Sequence, residues 1–399
     1  MSEQNEPTIE PWSFLAPTPG TEVPPAPEPD RTWELRGGTA WVYHGVGNQG
    51  LTRPVVLSDG FETGGSKLDV LWHGLERGRF AFISELRSRG YDLVILGYDD
   101  RSASLLKNAD VVQQCIFQTI QERHGDHPLT VGGFSMGGLV TRYALAEMEA
   151  QSIDHQTAVY LSYDSPHRGA WIPIGLQALA HFLKATPALS RQINSDAARQ
   201  LLWRHISTTT ATPEQHQLRT EFLAALERVG SWPARPIKLG VANGSGTGTG
   251  NGVKPATDAV KVTSGYFNGT TLRTQSTGSS QQVARLKGLL TERTITTDDL
   301  PELDGAPGGT LESYGIAGRK LKITGSTEIE PSAAWVCFVP AVSAVAVRDL
   351  DRQEDLYVDI SDLDPGQSEL DDFKLSTENT PHSQMTEELG TWILDRLPR

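Results

Sequence analysis

The motif Gly-Phe-Ser-Met-Gly at residues 133–137 restricts the backbone of this chain more tightly than any other segment does. A strand-like run that includes Val131 precedes it, and a helical pattern beginning near Leu139 follows it. Glycines two residues to either side of a serine permit a tight strand-to-helix turn, in which larger side chains would clash with the adjoining strand or helix. The motif therefore predicts that Ser135 stands exposed at a helix N-terminus, where its hydroxyl is a candidate nucleophile and developing negative charge is favoured.

Strand-like and helical patterns alternate along the chain around this motif. Apolar runs predict strands at residues 41–44, 53–57, 93–96, 129–131, 158–161, 237–242 and 335–339. Apolar residues at helical spacing predict helices at residues 80–86, 109–120, 139–144, 172–183, 213–226 and 385–397. This alternation predicts an α/β protein with a mostly parallel central sheet and helices on both faces.

Three segments depart from the alternating pattern. Residues 1–30 are rich in proline and acidic residues, which predicts a disordered tail. Residues 171–236 hold helical patterns without strands, and we interpret them as a helical lid insertion, with one helix starting at the Thr-Pro pair of residues 212–213. Residues 260–330 alternate apolar and polar residues between glycine-rich turns, which predicts a β-rich insertion of short antiparallel strands.

Composition limits the partners of the chain. The 399 residues are 38% apolar and 21% charged, as in a globular protein, and the net charge of −14 argues against nucleic acid as a partner. No apolar run reaches the ~20 residues of a membrane span and no secretory signal is visible, so we expect no transmembrane segment and a cytoplasmic location. Cys115 and Cys337 lie in apolar runs, which predicts buried free thiols; no Cys/His cluster has zinc spacing, and no metal or cofactor is predicted. The oligomeric state is left open.

A serine nucleophile requires a histidine that accepts its proton. His382 lies in a turn just before the C-terminal helical pattern, where a loop reaches back toward the carboxyl edge of such a sheet. We predict that His382 is the general base. The alternative is His167, which lies in a turn that follows the strand after the serine motif.

The histidine in turn requires a carboxylate that orients it. Asp164 ends the strand that follows the serine motif, and side chains at that position lie at the carboxyl edge where ligands bind in open α/β sheets. Asp164 is therefore the predicted acid. The first alternative is Asp258, the first carboxylate beyond a loop of glycine, serine and threonine; Asp304, Asp371 and Asp372 are further candidates.

A developing oxyanion requires two backbone N–H donors. The residue after the nucleophile, Met136, supplies one, and the loop after the strand at residues 53–57 supplies the other. Gly60 lets that loop come close to the site, which makes the Phe61 N–H the second predicted donor. Residues 98–101 (Tyr-Asp-Asp-Arg) end another strand at the same edge, and we interpret them as a solvated charged turn.

Three of these segments resemble the α/β-hydrolase lipases and carboxylesterases. Residues 133–143 resemble their G-H-S-M-G-G-L-V-x-R-Y segment, and residues 164–169 resemble their S/G-T-P-H-x-G segment. Residues 57–61 occupy the place of their oxyanion H-G loop, with Asp59 where the family has histidine. The resemblance implies an eight-stranded sheet, a Ser-His-acid triad and hydrolysis of acyl esters through an acyl-enzyme.

We therefore expect residues 31–399 to form one α/β-hydrolase domain that carries both insertions. The predicted function is that of a serine carboxylic ester hydrolase, esterase- or lipase-like, acting on a small-molecule or lipid-like ester. A thioesterase, an acyltransferase or an amidase with the same triad is the alternative. A non-enzymatic binding module with the proline-rich tail as its interaction segment is a third hypothesis.

Overall fold

The computed structural model describes residues 6–17 and 23–399. Its strands are β1 (Arg31–Leu35), β2 (Gly38–Tyr43), β3 (Pro54–Ser58), β4 (Asp92–Tyr98), β5 (Leu129–Phe134), β6 (Thr157–Tyr163), β7 (Ile237–Ser245), β8 (Asp258–Val262), β9 (Thr271–Arg273), β10 (Gln281–Lys287), β11 (Glu292–Thr297), β12 (Gly308–Leu311), β13 (Thr327–Ile329), β14 (Val336–Pro340) and β15 (Asp372–Ser376). Its helices are α1 (Leu68–Glu76), α2 (Phe82–Ser88), α3 (Leu105–Glu122), α4 (Met136–Ala150), α5 (Ile174–Phe182), α6 (Pro187–Ile193), α7 (Asp196–Leu201), α8 (Gln217–Arg228), α9 (Ser313–Leu321), α10 (Ala341–Ala344), α11 (Gln353–Leu356) and α12 (Glu387–Leu394).

Eight strands form the central sheet, in the order β1-β2-β4-β3-β5-β6-β7-β15. Strand β2 runs antiparallel to β1 and β4, and the other neighbouring strands are parallel. The carboxyl ends of the parallel strands therefore meet at one edge, where loops collect candidate functional residues. The predicted α/β class and mostly parallel sheet are confirmed.

Helices cover both faces of the sheet. Val55 and Leu57 of β3 pack in one apolar cluster with residues of α2 and α12, whereas Val56 between them packs in a second cluster with residues of α3 and α4. Successive side chains of a strand point to opposite faces, so a strand buried on both sides is apolar throughout. This is why residues 53–57 carried a continuous strand signal.

The end of the sheet differs from the prediction. Strand β14, near the predicted final strand, is fully buried but pairs with β12 in a separate antiparallel ribbon. The strand that completes the sheet is β15, which runs parallel to β7. Its sequence, Asp-Phe-Lys-Leu-Ser, is mostly half-buried at the sheet edge, and it therefore lacks the apolar run of an interior strand.

The helical region (residues 171–236) and the β-rich region (residues 260–330) contain the kinds of elements that were predicted. Helices α5–α8 lie in the first region, and the second holds a five-stranded antiparallel sheet of order β11-β10-β9-β8-β13, together with α9. The two regions pack directly on each other, because a Cβ atom at Gly175 of α5 would lie only 2.6 Å from the carbonyl oxygen of Val283 in β10. That the helices act as a lid stays a prediction.

One helix of the first region starts later than predicted. Helix α8 begins at Gln217, and the side chain of His216 caps it by accepting a hydrogen bond from the Leu218 N–H. Glu214, one residue beyond the expected start at Pro213, instead forms a β-bridge with His205. This bridge holds the chain extended where proline at a first helical position favoured a helix.

Residues 6–17 are not a disordered tail. Ile9, Phe14 and Leu15 are each at most 2% exposed and join the apolar core. The Ile9 N–H donates to Thr186 Oγ1 (2.9 Å), and the Phe14 N–H donates to Gln192 Oε1 (2.6 Å). The prediction of disorder is therefore wrong for these residues, because the helical region offers a partner surface that composition does not reveal.

The remaining parts of the predicted tail fall into two groups. Residues 1–5 and 18–22 lie outside the described residues, and residues 23–30 lead into β1. In that last stretch the Ala26 N–H donates to Asp69 Oδ1 of α1 at 2.7 Å.

Both cysteines are buried free thiols, as predicted. Cys115 lies in α3 and Cys337 in β14. Across residues 6–17 and 23–399, no helix combines the length and the apolar character that crossing a membrane requires.

Candidate active site

Ser135 occupies a strained turn between β5 and α4. Its backbone lies at φ 52° and ψ −121°, a conformation that residues other than glycine rarely adopt. A Cβ atom at Gly133 would lie 2.5 Å from the carbonyl carbon of Gly137, and one at Gly137 would lie 2.5 Å from the carbonyl oxygen of Ser58. The two glycines of the motif are thus required by the close approach of backbone to backbone, as the sequence predicted.

The serine lies deeper than predicted. Ser135 is only 6% exposed, and its hydroxyl forms no hydrogen bond with the residues that the structure describes. The loop between β3 and α1 lies against it, because a Cβ atom at Gly60 would be 3.3 Å from the Ser135 Cβ. The side chain is therefore at the bottom of the loops on the carboxyl edge rather than standing clear of them.

Asp164 and His382 form a buried contact at the same edge of the sheet. His382 Nδ1 lies 2.7 Å from Asp164 Oδ2, and the two side chains are 1% and 0% exposed. Asp164 directly follows Tyr163, whose carbonyl accepts the Ser135 N–H at 2.9 Å. The structure thus brings the predicted acid and base together, in the segment adjoining the predicted nucleophile.

Further contacts fix the Asp164 carboxylate. Its Oδ1 accepts the Asn243 N–H of β7 at 3.0 Å, and its Oδ2 lies 3.4 Å from the Ser383 nitrogen. A Cβ atom at Gly309 of β12 would lie only 2.1 Å from Oδ2, so glycine is needed there for the strand to pass the carboxylate. These groups hold the carboxylate in one orientation toward the imidazole.

The ribbon of β12 and β14 holds the histidine loop. The His382 N–H donates to the Thr310 carbonyl of β12 at 2.8 Å, and the Thr310 N–H donates to the Thr380 carbonyl at 3.0 Å. The ring of Phe338 from β14 packs edge-on against the imidazole, with centroids 4.8 Å apart. Sequence reasoning missed these supports, since they join segments distant in the chain and carry no motif.

The contact with Asp164 selects the tautomer of His382. Carboxylate oxygens accept hydrogen bonds, so in the neutral imidazole Nδ1 carries the proton and Nε2 carries the lone pair. In this structure the hydroxyl near Nε2 is that of Ser383, at 3.3 Å, and not that of Ser135. An imidazole in this state is able to accept a proton from a hydroxyl at Nε2.

The alternative base, His167, is engaged elsewhere. Its Nε2 lies 2.7 Å from Ser162 Oγ and its Nδ1 lies 3.4 Å from Arg142 Nη1. Its ring also packs on Trp232, with centroids 4.7 Å apart. Burial lowers the pKa of His167 well below its ordinary value, and Arg142 and Arg168 lower it further. A neutral, doubly engaged ring of this kind fits a structural role.

Each of the alternative acids contacts partners other than His382. Asp258 pairs with Arg273 (2.6 Å) and Lys261 (3.0 Å) in the five-stranded sheet. The remaining candidates likewise have other partners: Asp304 accepts from Trp171 Nε1, Asp371 pairs with Lys238, and Asp372 pairs with Arg396. Of these candidate acids, only Asp164 contacts His382.

The two predicted oxyanion donors are both available. The Met136 N–H is the first of α4, and the Phe61 N–H lies in the loop that packs on Ser135. Within the described parts of the chain, neither amide donates a hydrogen bond to another residue. Both residues are buried, so an anion bound there would be screened little by water.

The charged turn after β4 is only partly in solvent. Asp99 and Asp100 are exposed, as predicted, but the Arg101 side chain is only 12% exposed and pairs with Asp59 at 3.3 Å. Burial raises the pKa of Asp59, and Arg101 and a hydrogen bond from Ser66 oppose that shift. Sequence reasoning missed this pair because its members come from loops after different strands.

A cleft of about 470 Å³ lies beside the Phe61 loop. Its walls include Trp12 of the N-terminal segment, Glu62 and Thr63 of the loop, and Arg191 and Gln192 of α6. The cleft thus borders the residue after Phe61. In the described residues, no group of three or more His, Cys, Asp or Glu side chains is placed to hold a metal ion.

No protein-family model and no curated protein matches this chain. Similar solved structures include a lipase from Bacillus licheniformis in its mature form (13% identity, TM-score 0.31, 52% of this chain and 72% of that chain). They also include the propeptide form of that lipase (13%, 0.33, 52% and 39%) and an esterase from Rhizomucor miehei (12%, 0.33, 55% and 67%). The match thus spans well under two-thirds of the propeptide form.

The architecture of this chain is that of the α/β-hydrolase fold. Its eight-stranded, mostly parallel sheet carries a strand-turn-helix elbow, and a candidate acid and histidine follow the elbow serine in chain order. The predicted fold class is confirmed.

Proposed function

We propose that this protein is a serine carboxylic ester hydrolase, with Ser135 as nucleophile, His382 as general base and Asp164 as the acid that orients the histidine. The observation that carries the proposal is the buried 2.7 Å contact between His382 Nδ1 and Asp164 Oδ2, beside the strained turn of Ser135. Strained backbone conformations persist where surrounding structure enforces them, and they cluster at functional sites.

The proposed acylation begins when Ser135 Oγ attacks the ester carbonyl carbon. His382 Nε2 takes the hydroxyl proton as the new C–O bond forms, and it then gives that proton to the leaving alcohol. For this transfer, Nε2 exchanges its Ser383 contact for one with Ser135. Catalytic hydrogen bonds that are long or misaligned without substrate commonly tighten in the complex. Asp164 stabilises the imidazolium that forms.

The negative charge on the former carbonyl oxygen requires donors already in place. The N–H groups of Met136 and Phe61 are the proposed donors. Water then attacks the acyl-enzyme, with His382 again accepting and returning a proton, and the acid product leaves. The cleft beside Phe61 is the proposed substrate entrance, and helices α5–α8 are the proposed lid over it.

The decisive experiment compares two serine variants on p-nitrophenyl esters. We expect Ser135→Ala to lower turnover by roughly 10⁶-fold, because no nucleophile remains. We expect Ser383→Ala to keep turnover within about threefold, since its hydroxyl only occupies Nε2 in the absence of substrate.

A fluorophosphonate probe provides an independent check. It should label the wild type and Ser383→Ala at one site per chain and should not label Ser135→Ala. Full activity in Ser135→Ala, or loss of labelling in Ser383→Ala alone, would contradict the assignment of the nucleophile.

A further inference from the structure

An aspartate and an arginine are paired below the surface beside the proposed oxyanion site. The Asp59 side chain is 8% exposed, and its Oδ2 lies 3.3 Å from Arg101 Nη1, whose side chain is 12% exposed. Charged groups are costly to bury, and removing one member of a buried pair leaves the other uncompensated. The pair therefore fixes the relative positions of the loops after β3 and β4.

The Asp59 carboxylate also fixes its own loop. Its Oδ1 accepts the Gly60 N–H at 2.7 Å, and its Oδ2 accepts the Ser66 hydroxyl at 2.6 Å. The Asp59 N–H donates to the Leu96 carbonyl of β4 at 2.9 Å. One side chain thus joins the beginning and the end of the loop from residue 59 to residue 66.

Arg101 ties the same loop from the other side. Its Nε lies 3.3 Å from the Gly64 carbonyl oxygen, and its backbone N–H donates to that oxygen at 3.1 Å. Ser66 completes the connection, because its Oγ accepts the Tyr98 N–H of β4 at 2.9 Å. The loop is therefore attached to β4 and to the turn that follows it at several points.

These contacts set the position of the Phe61 amide. Asp59 accepts the Gly60 N–H, and the next amide, that of Phe61, has no partner among the described residues. Gly60 itself packs on the Ser135 Cβ, which keeps the free amide close to the serine. Donors that are already in place where charge develops avoid the cost of reorganisation during the reaction.

We propose that Asp59 and Arg101 act as positioning residues that hold the Phe61 N–H in place as an oxyanion donor. This inference rests on the proposed ester hydrolase function. It assigns a role to the aspartate that stands where the resembling enzymes have histidine. The competing explanation is that the Asp59–Arg101 pair only stabilises the loop. It predicts that loss of the pair lowers stability without a specific effect on the reaction.

The test measures kcat and KM for p-nitrophenyl esters in Asp59→Ala, Asp59→Asn and Arg101→Gln, per active site titrated with a fluorophosphonate. For Asp59→Ala we expect kcat to fall by ~100- to ~1000-fold, as on loss of one oxyanion donor, with KM within about threefold. A trifluoromethyl ketone, which binds as an oxyanion adduct, should lose affinity in parallel with kcat/KM.

The single variants should not combine additively. Asp59→Asn leaves Arg101 unpaired, and Arg101→Gln leaves Asp59 unpaired, so each carries the cost of a buried charge. We expect the double variant to lose less activity than the product of the two single losses. Should Asp59→Ala fail to fold, the two polar variants and their combination provide the same comparison.

Asp99→Asn is the matched control, because Asp99 is exposed directly after β4, two residues before Arg101. The kcat of this variant should stay at the wild-type value. The proposal is overturned if Asp59→Ala keeps wild-type kcat per titrated site, or if ketone affinity is unchanged while only thermal stability falls. Failure of the hydrolase function itself would appear separately, as activity retained in Ser135→Ala.

Discussion

Two of the candidate catalytic residues, and a neighbour of the third, have unusual backbone conformations. Ser135 has φ 52°, Asp164 has φ 49°, and Ser383, next to His382, has φ 59°. Residues other than glycine pay an energetic cost in this left-handed region, and such conformations persist only where surrounding contacts enforce them. The buried neighbours of these residues therefore do more than fill space, since they hold three strained positions in one small region.

At this scale, Asp164→Asn tests the role of the acid. An amide whose carbonyl oxygen accepts the Asn243 N–H presents its N–H₂ group, a donor, to His382 Nδ1. We expect turnover of p-nitrophenyl esters to fall by ~10⁴-fold, because the imidazole then adopts the wrong tautomer. Circular dichroism should show an intact fold.

Asp258→Asn is a suitable control for that measurement, since Asp258 pairs with Arg273 away from His382. It should keep wild-type turnover. Equal activity in Asp164→Asn and the wild type would remove Asp164 from the proposed triad.

At the scale of elements, local signals were sufficient where burial is continuous. Strand β3 is apolar throughout, and the turn at Ser135 requires glycines at fixed spacing, so both could be predicted from neighbouring residues alone. Strand β15 could not, because an edge strand that is mostly half-buried needs no apolar run. The docking of residues 6–17 could not either, since it depends on a surface built by α6 and the preceding turn.

The same reasoning explains what was and was not predicted of the site. Asp164 and His382 were identified from their places relative to strands and helices, because the carboxyl ends of parallel strands meet at one edge. The Asp59–Arg101 pair and the fit of Gly309 over Asp164 depend on distances between loops, which a single sequence does not specify.

The N-terminal segment yields a prediction about stability. Phe14 is 2% exposed within the core, so Phe14→Ala should lower the free energy of unfolding by roughly 3–5 kcal/mol, the usual cost of truncating a buried phenylalanine. Denaturant unfolding followed by tryptophan fluorescence measures this change. Glu10→Gln, which removes only an exposed ion pair of the same segment with Lys320, should change the unfolding midpoint little. An unchanged midpoint in Phe14→Ala would show that the segment does not contribute to stability in solution.

At the scale of the whole molecule, one buried carboxylate joins the two inserted regions. Asp304 Oδ1 accepts the Trp171 Nε1–H at 2.6 Å, where the helical region begins. Its Oδ2 accepts the Gln275 N–H at 2.8 Å and lies 3.3 Å from the Tyr314 hydroxyl, both in the β-rich region. Burial raises the pKa of Asp304 to about 6, although these hydrogen bonds lower it.

Because the pKa of Asp304 is raised on folding, the stability of the protein depends on pH in a predictable direction. The folded protein favours protonated Asp304, so its contribution is fully present below the ordinary value of 3.8 and is lost as pH rises through about 6. We therefore expect the melting temperature of the wild type, relative to that of Asp304→Asn, to rise as pH is lowered from 7 to 4. Differential scanning calorimetry at several pH values measures this.

Asp258→Asn should show the opposite trend when the same measurement is extended below pH 3.8, the ordinary pKa of its carboxyl group. Burial opposes the shift there, but hydrogen bonds from Arg273 and Lys261 lower the pKa of Asp258. The advantage of the wild type over that variant should shrink as pH falls through the lowered value. A flat or reversed trend for Asp304→Asn would mean that Asp304 remains charged in the folded protein.

The two buried cysteines make the native protein a convenient object for chemical labelling. Burial raises the pKa of Cys115 to about 12 and that of Cys337 well above its ordinary value, so almost no thiolate forms at neutral pH. A maleimide dye should therefore leave both thiols unmodified and react only with a cysteine introduced on the surface, for instance at Leu290, which is 99% exposed. Cys337 lies on the ribbon beside His382, so the rate of any slow reaction at Cys337 would measure how readily that ribbon opens.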